Sequence, residues 1–289
     1  MRDYWLTQSL LQAVGWGYVL AVVIALLLAG WAPRRGKVKV LAVLAVLVVA
    51  SILPIKGYRQ YREQQQIVQE RKERYQKALA LFQERCKTAE ETIYQTAGGV
   101  RNILLLNVRS DRVDKDYFDA NWADAALPNQ FGGKEYVLGF LKSWRIERFQ
   151  GNGSKKADDK SRDLDSYSYH GYDSVDIKQA DGVLYRYRLK DDQLVKTPMQ
   201  GDVARYSVSH ENISDPVGRE YWIAGTTVII TDTKNDRVMA KKTWYSFERG
   251  LGNRSGERMP WLFAVSCPEQ RGHESRYPTH IFVRKVLKD

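Results

Sequence analysis

The amino-acid sequence predicts an α+β protein with an N-terminal two-helix transmembrane hairpin, a long helix and a mainly antiparallel, β-rich domain. Two apolar runs, residues 14–31 and 40–55, contain no Asp, Glu, Lys or Arg. Residues 58–96 are rich in Gln, Glu, Lys, Arg, Ala and Leu and lack Gly and Pro, as is typical of a long helix. After Gly99, short segments rich in β-branched and aromatic residues alternate with turn residues. Helices followed by a run of strands indicate the α+β class.

Residues 14–31 and 40–55 are interpreted as two membrane spans that contact lipid. A spanning helix needs about 20 mainly apolar residues, and both runs lie near the lower end of the usual range of roughly 17 to 25. A buried hairpin of a soluble core fits less well, because no charged residue interrupts either run. A cleaved signal peptide also fits less well, because it begins with a positively charged segment. Here the charges of Arg2 and Asp3 cancel.

The membrane orientation depends on the basic residues that flank the two runs. Four lie in the short hairpin and four lie outside it, namely Arg34, Arg35, Lys37 and Lys39 against Arg2, Lys56, Arg59 and Arg62. Lys and Arg favour the cytoplasmic side, so this balance leaves the orientation undecided. The pair Cys86 and Cys267 fits one disulfide in an oxidising compartment, whereas two unrelated thiols would fit the cytosol. We therefore predict a cell inner-membrane protein with both termini in the periplasm.

The long helix, assigned to residues 56–98, has an apolar stripe only in its distal half. The uninterrupted part of the stripe consists of Tyr75, Leu79, Phe82, Cys86, Ala89 and Ile93. Gln65 and Lys72 occupy the same stripe nearer the membrane. The distal half either docks on the domain or forms a coiled-coil oligomer that acts as an envelope scaffold. Docking would bring Cys86 to a strand carrying Cys267, and the disulfide would stabilise the domain by roughly 4 to 5 kcal/mol.

The domain assigned to residues 99–289 is long enough to bury a sizeable core. The pattern predicts, in chain order, a strand at 103–108, an irregular connection at 119–128, a helix alone or followed by a strand at 136–149, a solvated loop at 151–166, strands at 183–189 and 205–208, a hairpin of 221–231 with 237–247, and closing strands at 261–266 and 280–287. Lys241 and Lys242 break the alternation of the hairpin and indicate a bulge there.

The formal net charge of +11 is spread along the chain, with Lys and Arg alternating with Asp and Glu nearly everywhere. A moderately basic surface attracts anionic lipid headgroups or an acidic partner protein, although an ordinary solvated surface has the same composition. Nucleic-acid binding requires a clustered basic patch or a recognisable module, and the sequence has neither. We therefore predict a protein partner and no nucleic acid.

The sequence predicts no catalytic, cofactor-binding or metal-binding residues. None of the four histidines has another at the spacing of three or four that presents two nitrogens to one metal ion. Nucleophile-elbow, phosphate-loop and dinucleotide-binding glycine motifs are missing from the sequence. The glycine-rich residues 250–256 lack the lysine of a phosphate loop and are interpreted as a flexible surface loop. The alternative is an envelope hydrolase or lipid-modifying enzyme whose site is assembled from distant residues.

Aromatic and hydrogen-bonding residues cluster at Tyr167, Tyr169, His170 and Tyr172. Such a composition suits a recognition surface for another protein. The equally weighted alternative is a strand edge or loop that packs on the domain. The four residues are the candidate binding residues, and Cys86 and Cys267 are the candidate disulfide.

Three local phrases, at residues 86–94, 100–109 and 276–284, resemble bacterial membrane-anchored proteins whose genes neighbour type VI secretion lipase effectors. The resemblance extends from about Tyr75 to the C-terminus. It implies an immunity protein that protects its own cell by binding a toxin in the periplasm. The phrases have no known catalytic role, so no functional residue is transferred. The sequence thus favours a membrane-anchored, non-enzymatic protein-binding module.

Overall fold

The computed structural model describes most of the chain, which forms two compact units. The described residues are 2–31, 36–147, 166–179, 182–270 and 272–289. The first unit is Met1–Glu73 and the second is Arg74–Asp289. The predicted solvated loop therefore lies outside the described residues except for Ser166, which begins a strand.

The first unit consists of helix α1, Arg2–Trp31, and the first part of helix α2, Gly36–Cys86. The two helices meet at Tyr18, whose hydroxyl donates a hydrogen bond to the carbonyl of Ala50. Pro54 lies inside α2 without ending it. Proline is tolerated within apolar helices when neighbouring groups or local adjustments satisfy the released backbone carbonyl.

The predicted membrane anchor is supported for one helix. Among the described residues, Lys39–Cys86 is the one stretch long and apolar enough to cross a membrane. Gly15–Trp31 is an apolar helix of shorter length. The second span and the periplasmic termini therefore stay predictions.

The long helix differs from the prediction at both ends. It is continuous with the second apolar run, and it ends at Cys86 rather than near residue 98. Strand β1, Glu91–Ile93, follows and pairs antiparallel with a long strand of the domain, where Thr92 lies opposite Lys241. The helix ends early because the chain after Cys86 gains sheet hydrogen bonds, an interaction that local helix propensity does not reveal.

The second unit contains the rest of the secondary structure. The remaining helices are α3, Gly133–Leu141; α4, Pro216–Glu220; and α5, Pro278–Val286. The remaining strands are β2, Asn102–Leu105; β3, Trp144–Glu147; β4, Ser166–Tyr169; β5, Ser174–Lys178; β6, Leu184–Lys190; β7, Gln193–Pro198; β8, Tyr206–Asn212; β9, Ile223–Asp232; β10, Arg237–Glu248; and β11, Ala264–Cys267. Short 3-10 turns include Asp114–Phe118 and Pro260–Phe263.

Nine of the described strands form one sheet in the order β1-β10-β9-β8-β2-β5-β6-β7, with β11 also paired to β10. Strand β2 is parallel to both neighbours, β5 and β8, and the other pairs are antiparallel. Strands β3 and β4 form a separate antiparallel pair. The predicted α+β class with a mainly antiparallel sheet is confirmed.

Helices cover both faces of the sheet. Helices α3 and α5 pack on one face through Tyr136, Phe140 and Phe282, which are buried against Ile103, Leu105, Val175, Ile177, Val208, Val228, Ile230 and Trp244. Odd-numbered residues of β9 and β10, namely Ile223, Tyr245 and Phe247, face the other side of the sheet. There they pack against Ala78 and Phe82 of α2. The domain is thus a helix–sheet–helix arrangement at the β10 end.

Three local predictions were wrong. Residues 280–287 form most of helix α5 rather than a strand, because Pro278 occupies the first helical turn and Phe282, Val283 and Val286 share the buried face. Residues 261–263 form a 3-10 turn ahead of β11. The bulge of β10 lies between Val238 and Ala240 instead of at Lys241 and Lys242.

Candidate functional site

The cysteines form the predicted disulfide. Cys86, at the end of α2, is bonded to Cys267, at the end of β11, with Cα atoms 5.6 Å apart and a sequence separation of 181. Upstream of Cys86, the ring centroids of Tyr75 and Phe82 lie 6.1 and 5.4 Å from that of Phe247. The distal apolar stripe therefore packs within the domain. A coiled coil would require the same residues, which are already in contact with the sheet.

The predicted recognition residues lie in and directly after strand β4. Tyr167 and Tyr169 lie in β4, whose pairing with β3 is described although their side chains are not. His170 is exposed. Tyr172 is buried, and its hydroxyl donates to the carbonyl of Leu287 at 2.7 Å. Burial raises the pKa of Tyr172, so its hydroxyl stays protonated in this core position. Tyr172 is therefore a core residue, and the recognition role of the other three residues stays a prediction.

A buried arginine holds the segment around His170 against the helices. The guanidinium of Arg284 donates to the carbonyls of Gly139, Phe140 and Lys142 at 3.0–3.1 Å, and to the carbonyl of His170. The first three carbonyls lie at the C-terminus of α3, where a cation complements the helix dipole. This arginine therefore joins α3, α5 and the chain before Tyr172 as a structural element.

A second polar cluster lies where the parallel strands β2 and β8 end. Arg109 is buried, and it donates to the carbonyls of Asp124 and Leu127 at 2.9 and 3.1 Å. The Asp124 carboxylate lies 3.6 Å from the Arg109 guanidinium and 3.9 Å from the His210 ring. Burial, followed by the charge of Arg109, lowers the pKa of His210. Since the arginine is engaged by backbone carbonyls and the histidine is kept neutral, the cluster ties a loop to the sheet.

The glycine-rich loop after β10 is held by a buried carboxylate. Glu248 accepts hydrogen bonds from the backbone amides of Gly250 and Gly252 at 2.7 and 2.6 Å, and from the guanidinium of Arg258. The Glu248 side chain is completely buried. These contacts hold the first turn of the loop, and the predicted flexibility of residues 250–256 stays a prediction for the exposed residues that follow.

Several residues near this loop have unusual backbone angles. Trp222 has φ +56°, Leu251 has φ +49° and Glu257 has φ +58°, although bulky residues rarely adopt this region. The ring of Trp222 lies 5.4 Å from that of Trp261 and against Gly252, where a Cβ would approach its ring atoms to 2.4 Å. Strained conformations persist where the surroundings enforce them, and they concentrate at functional sites.

Exposed apolar residues adjoin this ordered loop. Leu262 is 44% exposed and Phe263 is 56% exposed. The guanidinium of Arg258 lies 4.6 Å from the ring centroid of Phe263, and that of Arg254 lies 5.5 Å from the ring of Phe118. We call these five residues the Phe263 surface. It combines exposed apolar groups with stacked arginines on a fixed loop, which is the composition of a protein-binding site.

Sequence reasoning missed the Phe263 surface because it assigned residues 261–266 to a strand. In a strand, Trp261 and Phe263 would face the same side. In the 3-10 turn, Trp261 is fully buried while Phe263 is exposed. The feature of the sequence that could have indicated this surface was the concentration of arginine and aromatic residues at 254–263.

The described residues contain no group of three or more His, Cys, Asp or Glu side chains that could hold a metal ion. Comparison with known proteins found no matching family model, curated protein or solved structure. The site must therefore be interpreted from its own geometry, in which an ordered, partly apolar surface stands out.

Proposed function

We propose that this chain is a membrane-anchored protein-binding module of the bacterial envelope. The observation that carries the proposal is the course of α2, which contains the apolar stretch and then packs into the domain as the same helix. The disulfide fastens the end of that helix to β11. A folded domain that shares a helix with an apolar stretch suits a protein that binds a partner at a membrane.

The Phe263 surface supports binding by contact instead of catalysis. Aromatic and arginine side chains dominate the binding energy of protein interfaces, especially when they are held in place before the partner arrives. Glu248 holds Arg258 and the loop amides, so little ordering entropy is lost on binding. The exposed ring of Phe263 is the natural centre of such an interface.

The disulfide and the resemblance to immunity proteins together suggest the compartment and the partner. Disulfides persist in the periplasm and are rare in the cytosol. In this proposal, the anchor has two spans, both termini are periplasmic, and the domain neutralises a secreted effector. Binding a toxin outside the cytoplasm would protect the cell without any enzymatic activity.

Thiol labelling in intact cells tests the compartment. A membrane-impermeant maleimide should label the wild type only after reduction, and should label Cys86→Ser and Cys267→Ser without reductant, because each variant retains one unpaired thiol. Labelling that requires cell lysis, in the wild type and both variants, would place the domain in the cytoplasm and contradict the proposal.

Photo-crosslinking tests the binding surface. A photoreactive phenylalanine analogue in place of Phe263 should give a protein adduct in cells that also produce a candidate secreted effector. The same analogue in place of Val238, which is also exposed, serves as the matched control. Phe263→Ser should reduce protection against the effector while the amount of membrane-bound protein is unchanged. Equal adducts at both positions, or full protection by Phe263→Ser, would contradict this role for the surface.

A further inference from the structure

Strand β7, Gln193–Pro198, is the last strand at one end of the described sheet. Its six residues are mostly exposed, and only Leu194 is partly buried. At the opposite end, the edge is made of β1 and β11, which have three and four residues. Proteins commonly shorten or cover their edge strands, because open edges pair with other chains. Strand β7 is therefore the longest edge left open in the described part of the sheet.

The register shows which backbone groups of β7 point away from the sheet. The two-residue turn Asp191-Asp192 makes Lys190 and Gln193 a hydrogen-bonded pair. Every second residue of β7 after Gln193 therefore also directs its N–H and C=O groups toward β6. The bond from the Met199 amide to the carbonyl of Leu184 follows the same parity.

The intervening residues, Leu194 and Lys196, consequently direct both their N–H and C=O groups outward. Pro198 has no N–H and ends the usable edge. Strand β7 therefore offers four outward backbone groups between Gln193 and Pro198, plus the Pro198 carbonyl. This is enough for a short added strand.

Three basic side chains lie near this edge, Lys196 on one face of the sheet and Arg188 and Lys190 on the other, beside the acidic turn residues Asp191 and Asp192. Arg188 and Lys190 of β6 and Lys196 of β7 form no ion pair within the described part of the chain. The ammonium of Lys196 lies 3.9 Å from the ring centroid of Tyr185, which holds it beside the edge. By contrast, Arg186 is already bound to the buried Asp176 by two hydrogen bonds of 2.6 and 2.8 Å.

We propose that β7 binds an extended, acidic segment of a partner protein, which adds to the sheet as a further strand. Outward backbone groups would supply the affinity. Asp or Glu side chains on one face of the added strand would meet Lys196, and those on the other face would meet Arg188 and Lys190. A second copy of this chain is disfavoured, since antiparallel pairing of two β7 strands would bring their basic residues together. A lipid surface would use the charges but leave the backbone groups unpaired. This site is separate from the Phe263 surface.

Selection from a random 12-residue peptide library tests the proposal, with the full chain in nanodiscs of neutral lipid as the target. Enriched peptides should contain more Asp and Glu than the starting library, at positions on both faces of the added strand. Their affinity should fall at least tenfold in Lys196→Pro, which removes an outward N–H without breaking a bond to β6. Lys196→Gln keeps the N–H and removes the charge, so it should lose less, on the order of threefold.

Two further measurements test the charge preference of the site and the alternative of a lipid surface. The double variant Arg188→Glu, Lys190→Glu should select basic peptides instead of acidic ones, provided that its tryptophan fluorescence matches the wild type. Enriched peptides that lack acidic residues, or that bind Lys196→Pro and wild type equally, would overturn the proposal. Enriched peptides that leave the Lys196 amide unprotected from hydrogen exchange and are displaced by anionic nanodiscs would also overturn it, in favour of a lipid surface.

Discussion

The two ends of the sheet differ in how they are covered. At the β10 end, Phe247 is fully buried beneath the distal half of α2, and the disulfide closes the contact. At the β7 end, one side of the last strand has no neighbouring strand among the described residues, and Val195 is 38% exposed. The comparison teaches that apolar burial by the distal half of α2 covers one end of the sheet, whereas the other end leaves polar backbone groups available.

The largest effect is expected from a charge placed at the covered end. Phe82→Asp removes a buried ring from its contact with Phe247 and buries a carboxylate, so the free energy of unfolding should fall by about 3–5 kcal/mol. Urea unfolding of the full chain in detergent micelles, followed by tryptophan fluorescence, measures this change. Val195→Asp at the open end is the matched control and should cost less than about 1 kcal/mol. Similar losses in both variants would show that the two ends are not differently packed.

Loss of the disulfide should have the next largest effect. Cys267→Ser should lower the free energy of unfolding by about 2–5 kcal/mol, because the unfolded chain regains the freedom of a 181-residue loop. The same urea titration with reductant should bring the wild type to the level of the variant and leave the variant unchanged. A wild type that is insensitive to reductant would contradict a stabilising role for this bond.

Acidification should weaken the helical layer of α3 and α5 through His280. This residue is fully buried, its Nε2 lies 2.8 Å from the Tyr136 carbonyl, and burial lowers its pKa from 6.5 to about 3. Below pH 6.5 the unfolded chain binds a proton that the folded domain excludes. Stability should therefore fall by about 1.4 kcal/mol per pH unit between pH 6.5 and about 3.

Urea unfolding at pH 7, 6 and 5 measures this slope. His280→Gln should reduce the slope, and the lowered pKa of His210 should maintain part of it. His170→Gln is the matched control, because His170 is exposed. An unchanged slope in His280→Gln would mean that this histidine binds a proton as easily in the folded domain as in the unfolded chain.

The smallest effect is expected at the open end. Asp191 and Asp192 have φ +49° and φ +59°, as the two-residue turn between β6 and β7 requires. Asp192→Gly should stabilise the domain by about 0.5–1 kcal/mol, since glycine adopts positive φ without a Cβ penalty. Thermal unfolding should show a small rise in Tm, and Asp192→Ala should show none. A stabilising Asp192→Ala would indicate that charge, not backbone conformation, limits the turn.

Local patterns predicted the elements whose neighbours in space are also neighbours in sequence. The hairpin of β9 and β10 was predicted because both strands and their turn lie in one continuous segment. Strand β2 was predicted from its continuous apolar run, but its parallel partners β5 and β8 were not, because no local signal encodes pairing across distant segments. Helix α5 was missed because its β-branched and aromatic residues resemble those of a strand.

For the candidate site, the sequence indicated which cysteines could pair but did not reveal the binding surfaces. The stripe through Phe82 predicted that Cys86 faces inward, and that was sufficient to predict its partner. The burial of Tyr172 and the exposure of Phe263 depend on how α5 and a 3-10 turn pack. Residue type alone does not determine either outcome.

The sequence by itself predicted an apolar stretch long enough to span a membrane, the presence of a long helix, the α+β class and the disulfide. These follow from hydrophobic periodicity and turn chemistry, which act over a few residues. Only the tertiary structure decided where α2 ends, how the Glu248 carboxylate orders its loop and which edge of the sheet stays open. Such features arise from long-range pairing and burial, because a backbone group takes the hydrogen-bond partner that folding brings near it.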